Sequence, residues 1–286
     1  MGTQKKKELI PFSFKVGPVA QLVSAPPCHG GGRGFKSRLG RKERGSVIYS
    51  FLLKFKIKTD ALLGYNSAWI PKKLISKTIK NQLNPVVIDV GCNVGEFSEL
   101  VFKNNKTSVI YAFDIHQDLQ NILEKKFNQL KFTFFPVAIS NKLELGHIES
   151  SSKTDRKAHL TYESNKNSKS VPVKTLDNIM RNLDLKKIAI LKIDTEGNDF
   201  NVLRGADYIL NITDLVIFEI MYRILIYGDE PDDAIQYLKS KGFKYFYRST
   251  KFFGLIPIKA IKPWDIMTQN IVASKSVLTG FKYWYS

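Results

Sequence analysis

Cysteine is almost missing from this chain: 286 residues hold two, Cys28 and Cys92, and the four histidines stand singly. A disulfide-stapled scaffold is excluded, and without paired Cys/His ligand spacing no structural zinc or other metal site is expected. Two cysteines and no signal-peptide pattern predict a reducing, cytoplasmic setting. Long hydrophobic runs are missing too. The longest, Val47–Leu53 and Ile220–Tyr227, the second broken by Arg223, fall short of the roughly 20 residues that cross a bilayer, so no membrane insertion is expected. Acidic residues are scarce, 26 against 44 Lys and Arg, for a formal charge of +18. The scarcity is uneven: residues 1–60 carry 13 basic and three acidic side chains, residues 61–286 carry 31 and 23. A basic excess invites a nucleic-acid partner, but here more than half of it sits in about a fifth of the chain.

That fifth is unusual. Residues 17–41 combine Pro26-Pro27 with Gly30-Gly31-Gly32 and show neither helical nor strand periodicity. By composition this is a basic segment without a core of its own. Residues Gly32–Arg38 can be back-translated to contain the T-arm sequence of a tRNA gene, and Val19–Val23 fits a D-arm. Residues 1–46 therefore resemble a translated tRNA gene, an upstream extension of a misplaced start. No Met occurs between Met1 and Met180, so a true start would use an alternative codon near Val47. As a nucleic-acid-binding arm the segment lacks aromatic residues at stacking spacing. The expected division is residues 1–60 as extension and 61–286 as one domain.

From residue 66 short apolar runs alternate with amphipathic stretches. Ala68–Leu83 carries Ile70, Leu74, Ile75, Ile79 and Leu83 at helical spacing. Val86–Val90 then reads as a buried strand, followed by Gly91, Gly95 and a helix with Phe97, Leu100, Val101 and Phe102. The unit returns as Ser108–Asp114 into Asp118–Phe127, then Phe132–Ile139. Ser150–Ser170 is polar and reads as a long loop or ragged hairpin. Beyond it come helix Thr175–Leu183, strand Ile188–Asp194, helix Asp199–Ile209, strand Leu215–Glu219 and helix Asp232–Lys241. Phe243–Tyr247 and Ile271–Ser274 are closing strands. Strands with helical crossovers imply a mostly parallel α/β sheet.

In such a sheet ligands bind beyond the carboxyl ends of the strands, and here those ends are acidic: Asp89-Val90-Gly91-Cys92-Asn93-Val94-Gly95, Asp114, Asp194-Thr195-Glu196-Gly197 and Glu219. Gly-x-x-x-Gly is not the dinucleotide spacing, and no Walker lysine follows. Asp-x-Gly-x-x-x-Gly after strand one, with an acid ending strand two, resembles the cofactor site of class I S-adenosylmethionine-dependent methyltransferases. Glycine lets the turn backbone approach a ligand, and helix-opening amides suit its carboxylate. Asp114 could accept both ribose hydroxyls and Ile115 pack on adenine.

The resemblance sharpens to the FkbM family at Leu191-Lys192-Ile193-Asp194-Thr195-Glu196-Gly197, followed by Val202-Leu203-Arg204-Gly205-Ala206. Val171–Asp177 and Val137–Ser140 add to it. Asp114-Ile115 and Cys92 depart from the family's usual Glu-Pro and small residue without removing a needed group. The resemblance implies a Rossmann-like fold with a seven-stranded sheet, helices on both faces, and methylation of a hydroxyl on a sugar, glycan or small metabolite. The cofactor residues it implies are Asp89, Gly91, Asn93, Gly95, Asp114 and Ile115. Asp194 is the expected base, Glu196 the second choice, Glu219 the next, with Lys192 orienting the carboxylate. Plain structural roles stand beside these: an ion pair for Lys192 and Asp194, caps for Glu196 and Glu219, packing for Cys92, solvent for His116 and His147, and wall positions for Tyr222 and Tyr227. The alternative is a nucleic-acid-binding protein or RNA methyltransferase that uses the basic arm. The acceptor pocket is expected from Ser150–Ser170 and Tyr222–Pro231.

Overall fold

Apolar runs rich in β-branched and aromatic residues become strands buried on both faces, as parallel sheets require. In chain order the first elements are α1 (Lys72–Ile79), β1 (Val86–Val90), α2 (Glu96–Asn104), β2 (Val109–Asp114), α3 (Gln120–Lys126) and β3 (Phe132–Pro136). There follow β4 (Ala138–Ile139), β5 (Glu144–Glu149), β6 (His159–Thr161), β7 (Lys169–Lys174), α4 (Leu176–Met180) and β8 (Ile188–Ile193). The last are α5 (Asp199–Arg204), α6 (Asp207–Asn211), β9 (Thr213–Ile220), α7 (Asp233–Ser240), β10 (Tyr245–Thr250), β11 (Gly254–Pro257) and β12 (Gln269–Ser274). This computed structural model describes residues 70–149, 159–162, 169–221, 229–230, 232–251, 254–261, 269–279 and 281. The expected extension 1–60, the start near Val47, Tyr222 and Tyr227 lie outside those residues.

The main sheet has the order β11-β10-β12-β9-β8-β1-β2-β3. Its five strands from β9 to β3 are parallel, while β12 runs antiparallel to both β9 and β10. From β1 the chain steps outward through β2 to β3, then returns to the other side of β1 for β8 and β9. The order therefore reverses between β1 and β8, and the carboxyl ends of those two strands open the crevice that this topology reserves for a ligand.

Successive strand residues point to opposite faces, and each face has its own core. Ile88 and Val90 join Leu176, Met180, Phe200, Leu203, Ile235 and Leu238 on one side. Val87 joins Leu74, Ile75, Phe97, Val101 and Leu123 on the other. Helix α1 follows Pro71 without a side-chain cap; it is held by Leu74, Ile75 and Ile79, all fully buried, each contributing roughly 1.5–3 kcal/mol.

Several elements differ from the sequence reading. The main sheet has eight strands, not seven, because the hairpin partner β11 extends its edge. Phe132–Ile139 is not one strand. The chain leaves the main sheet at Val137, and β4 pairs with β7 in a second sheet of order β4-β7-β5-β6. Within the polar stretch Ser150–Ser170, expected as a long loop or ragged hairpin, His159–Thr161 and the last two residues are sheet: β6 and β7 each pair antiparallel with β5 around Ile148, Leu160, Val171 and Val173. Residues 150–158 and 163–168 lie outside the described region. Helix Asp199–Ile209 divides into α5 and α6 at Gly205, where a Cβ would lie 2.1 Å from the Ser140 carbonyl oxygen. No described helix is long and apolar enough to cross a membrane.

Candidate active site

The turn after β1 is built by positive backbone angles: Gly91 has φ 73°, Asn93 45° and Gly95 74°. It is pinned to β2, since the Gly91 and Cys92 amides both donate to the Phe113 carbonyl at 2.8 and 3.0 Å. Only glycine fits at 91, because a Cβ there would sit 1.8 Å from the Asp194 carbonyl oxygen. The turn of β1 and the end of β8 touch backbone to backbone, and the Asp194 amide donates to the Val90 carbonyl at 3.0 Å.

Lys192 occupies the junction. Its ammonium donates to the Gly91 carbonyl at 3.0 Å and lies 3.4 Å from both Asp89 and Asp194. Burial alone would lower its pKa, yet the two carboxylates prevail and hold it above the usual lysine range. Asp89, expected at the cofactor, lies behind the turn. It is fully buried, accepts from the Ser98 hydroxyl at 2.7 Å, and is not part of the cavity wall. Asp89 thus fastens α2 and Lys192 behind the turn. Gly95 is likewise off the wall, where an added Cβ would strike the Phe127 ring at 2.6 Å.

Beyond these ends lies a cavity of about 460 Å³ lined by Gly91, Asn93, Asp114, Ile115, Lys192, Asp194, Glu196 and Glu219 among others, within the usual range for small-molecule sites. Asp114 accepts from the Asn93 amide at 2.8 Å and the His116 amide at 3.0 Å. Burial raises its pKa against those two bonds. His116 is not solvent-facing as the sequence suggested; it is buried, and its Nε2 finds no partner among the described residues. Cys92 is buried, and its thiol is pushed well up by burial and by Asp89 and Asp114, which leaves it a packing residue.

Opposite the turn, Asp194 is half-buried just past β8. Glu196 adopts φ 56° and Gly197 φ 108°, a reversal that brings Thr195 back over α5. Asp199, which sequence reasoning missed, then binds the whole end together. Its carboxylate accepts from the Thr195 amide at 3.0 Å, the Thr195 hydroxyl at 2.6 Å and the Glu219 amide at 2.8 Å. Burial and the Asp194 charge lift its pKa to about 6. Its partner on β9 lies 20 residues away, so no local pattern could have shown it. Glu219 is 5% exposed; burial first, then the charges of Asp194, Asp199 and Glu196, raise it to about 9. Carboxylate oxygens of Asp194, Glu196 and Glu219 lie within 4.8 Å of one another, although no metal site was expected. Leu160 of β6 completes the wall with Ala138 and Ile139 of the small sheet.

An acid-lined crevice at the point where a parallel sheet reverses order, with a glycine turn on one side and an acid ending β2, is the arrangement of a class I S-adenosylmethionine-dependent methyltransferase. Residues 89–245 match the family described as the methyltransferase FkbM domain. The chain belongs to that family, and its cofactor is S-adenosylmethionine. No curated protein matches. Among solved structures, a precorrin-6y C5,15-methyltransferase from Geobacter metallireducens is 10% identical, covers 72% of this chain and 87% of its own, and has a TM-score of 0.39. The fibrillarin of Aeropyrum pernix with natively bound S-adenosyl-L-methionine is 12% identical, covers 76% and 74%, and has a TM-score of 0.40. Likenesses this distant carry no argument about the acceptor.

Proposed function

We propose that this methyltransferase transfers the sulfonium methyl to a hydroxyl oxygen of a sugar, glycan or small metabolite. In the direct displacement the methyl–sulfur bond breaks as the oxygen–methyl bond forms. The products are a methyl ether and S-adenosylhomocysteine, and the hydroxyl proton passes to a carboxylate. Asp194 is that base. It faces the cavity beside the glycine turn, and Lys192, anchored on Asp89 and the Gly91 carbonyl, holds it there. A positioned base and a fixed approach line are what such a transfer needs from the protein.

The observation that carries the reading is the charge of the wall. Glu96, Asp114, Asp194 and Glu196 line the cavity against one lysine, with Glu219 beside them as an acid held largely protonated at neutral pH. That suits a sulfonium and an ammonium and admits a neutral hydroxyl, whereas a phosphodiester would meet like charge. The test is transfer of labelled methyl from S-adenosylmethionine to a panel of glycans and polyhydroxylated metabolites, with structured RNA as the other arm. Label appearing in RNA alone would overturn the reading.

Two further outcomes follow. With Asp114 binding the ribose diol, Asp114→Ala removes hydrogen bonds to a charged group, worth about 1.5–3 kcal/mol. Cofactor affinity measured by calorimetry is expected to fall by about tenfold or more, and an unchanged Kd would remove Asp114 from the cofactor site. Deleting residues 1–46, which offer no periodic apolar face, is expected to leave the melting temperature and cofactor binding nearly unchanged. A large fall in either would show that the segment serves the domain.

A further inference from the structure

The small sheet supplies a stretch of cavity wall that the residues at the strand ends do not account for. Leu160 of β6 is 5% exposed and lines the cavity together with Ala138 and Ile139. It stands opposite Ile148 of β5 and belongs to an apolar cluster with Ala138, Ile148, Val171 and Val173. Ile115, the residue after Asp114, packs against that same cluster and also lines the cavity. Gly146 of β5 lets Leu160 settle where it does. A Cβ on Gly146 would lie 2.6 Å from Leu160 Cδ1 and 2.9 Å from Val173 Cγ2, inside the roughly 3.5–4.0 Å of ordinary carbon contacts. Gly146 lacks the positive φ of Gly91 and Gly95, so space and not backbone conformation calls for glycine there.

We propose that Leu160 is a specificity-determining residue for the cofactor, the wall that meets the six-membered ring of adenine, and that Gly146 is the positioning residue behind it. The proposal rests on the reading that Asp114 holds the ribose and Ile115 the adenine face. A purine joined to a ribose at Asp114 and laid on Ile115 points its six-membered ring, with the exocyclic N6, away from the sugar. Of the cluster that Ile115 packs against, only Leu160 and Ala138 reach the cavity wall, and Leu160 is the larger. Its side chain offers no hydrogen bond, so it discriminates by size: it packs on unsubstituted adenine and clashes with a group carried on N6. Apolar pockets separate ligands that differ by one methylene by about 10–200-fold. The small sheet is separate from the strands that carry Asp114, Asp194 and the glycine turn. The size of this end can therefore change while those residues keep their places.

The experiment is calorimetric measurement of Kd for S-adenosylmethionine and for its N6-benzyl derivative on the full chain. Wild type is expected to bind the derivative about tenfold or more the weaker of the two. Leu160→Ala is expected to shift the ratio of the two affinities toward the derivative by about tenfold or more, with S-adenosylmethionine still bound. Gly146→Ala pushes Leu160 toward the cavity and is expected to weaken S-adenosylmethionine by about tenfold, a loss that Leu160→Ala restores in the double variant. Equal affinity of the wild type for both ligands would overturn the wall. So would an unchanged ratio in Leu160→Ala, or in the milder Leu160→Val should the alanine variant unfold. Failure of the double variant to recover would remove Gly146 from the device. Asp114→Ala with the same two ligands separates this proposal from the reading beneath it. If it weakens both while the Leu160 variants leave the ratio unchanged, the ribose reading stands and the wall falls. A shifted ratio in the Leu160 variants with Asp114→Ala binding as wild type does would keep the wall and remove the ribose assignment.

Discussion

Asp194→Asn is expected to lower the rate of methyl transfer by about 10²–10⁴-fold, the usual contribution of a positioned general base, with S-adenosylmethionine affinity little changed. Asparagine matches the size of aspartate and keeps its hydrogen-bonding capacity, but it cannot take the acceptor proton. The substitution also removes one of the charges that push Glu219 up to about 9, so the Glu219 pKa should fall and the pH profile of the residual rate should shift. Lys192 keeps Asp89 and the Gly91 carbonyl as partners, which protects the turn and separates a catalytic loss from an unfolded site. Turnover at saturating cofactor, beside a calorimetric Kd, is the measurement. Full activity in Asp194→Asn with none in Glu196→Gln would move the base to Glu196; full activity in both would make the end of β8 structural.

Gly91→Ala is expected to be the most damaging single methyl in the chain. The new Cβ would lie 1.8 Å from the Asp194 carbonyl oxygen and 2.7 Å from its carbon, at a residue with φ +73°. Both obstacles are backbone, so no rotamer relieves them. The β1 turn and the end of β8 must part, at a cost of about 2–5 kcal/mol in strain and overpacking, or roughly 4–20 °C in melting temperature for a domain of this size. Cofactor affinity and turnover should fall together, because the same displacement moves Asp194 away from the glycine turn. A variant that melts within a degree of the wild type and binds cofactor normally would show that the contact between β1 and β8 is looser than drawn.

Much of the site could be read locally. Val86–Val90 ends in glycine, Val109–Phe113 ends in Asp114, and Leu191–Gly197 carries its acids at a strand end; each signal lies within about seven residues. The parts that were missed depend on distant partners. Phe132–Ile139 is one apolar run, and nothing in its periodicity marks Val137 as the residue where the chain passes from the large sheet to the small one. Strand β6 falls in the stretch that reads as a long loop or ragged hairpin, because polar residues surround its one buried side chain, Leu160, which packs with Ala138, Ile148, Val171 and Val173 from other elements of the small sheet. The break between α5 and α6 comes from the close approach of Gly205 to Ser140. His116 reads as exposed from its sequence, but it is buried on the cavity wall.

By itself the sequence determined the alternation of strands and helices, the glycine turn and the acids that terminate the strands, because strand propensity, glycine conformation and side-chain charge are properties of a residue and its neighbours. Only the tertiary structure decided what those acids do. Asp89 turned inward because β1 lies beside Lys192 of β8, and Asp194 gained its position from backbone contact with Gly91. Asp194, Glu196 and Glu219 became one group because Asp199 ties the loop after β8 to β9. Electrostatic coupling depends on distance through space, and residues 194 and 219 become neighbours only when parallel pairing brings their two strand ends side by side.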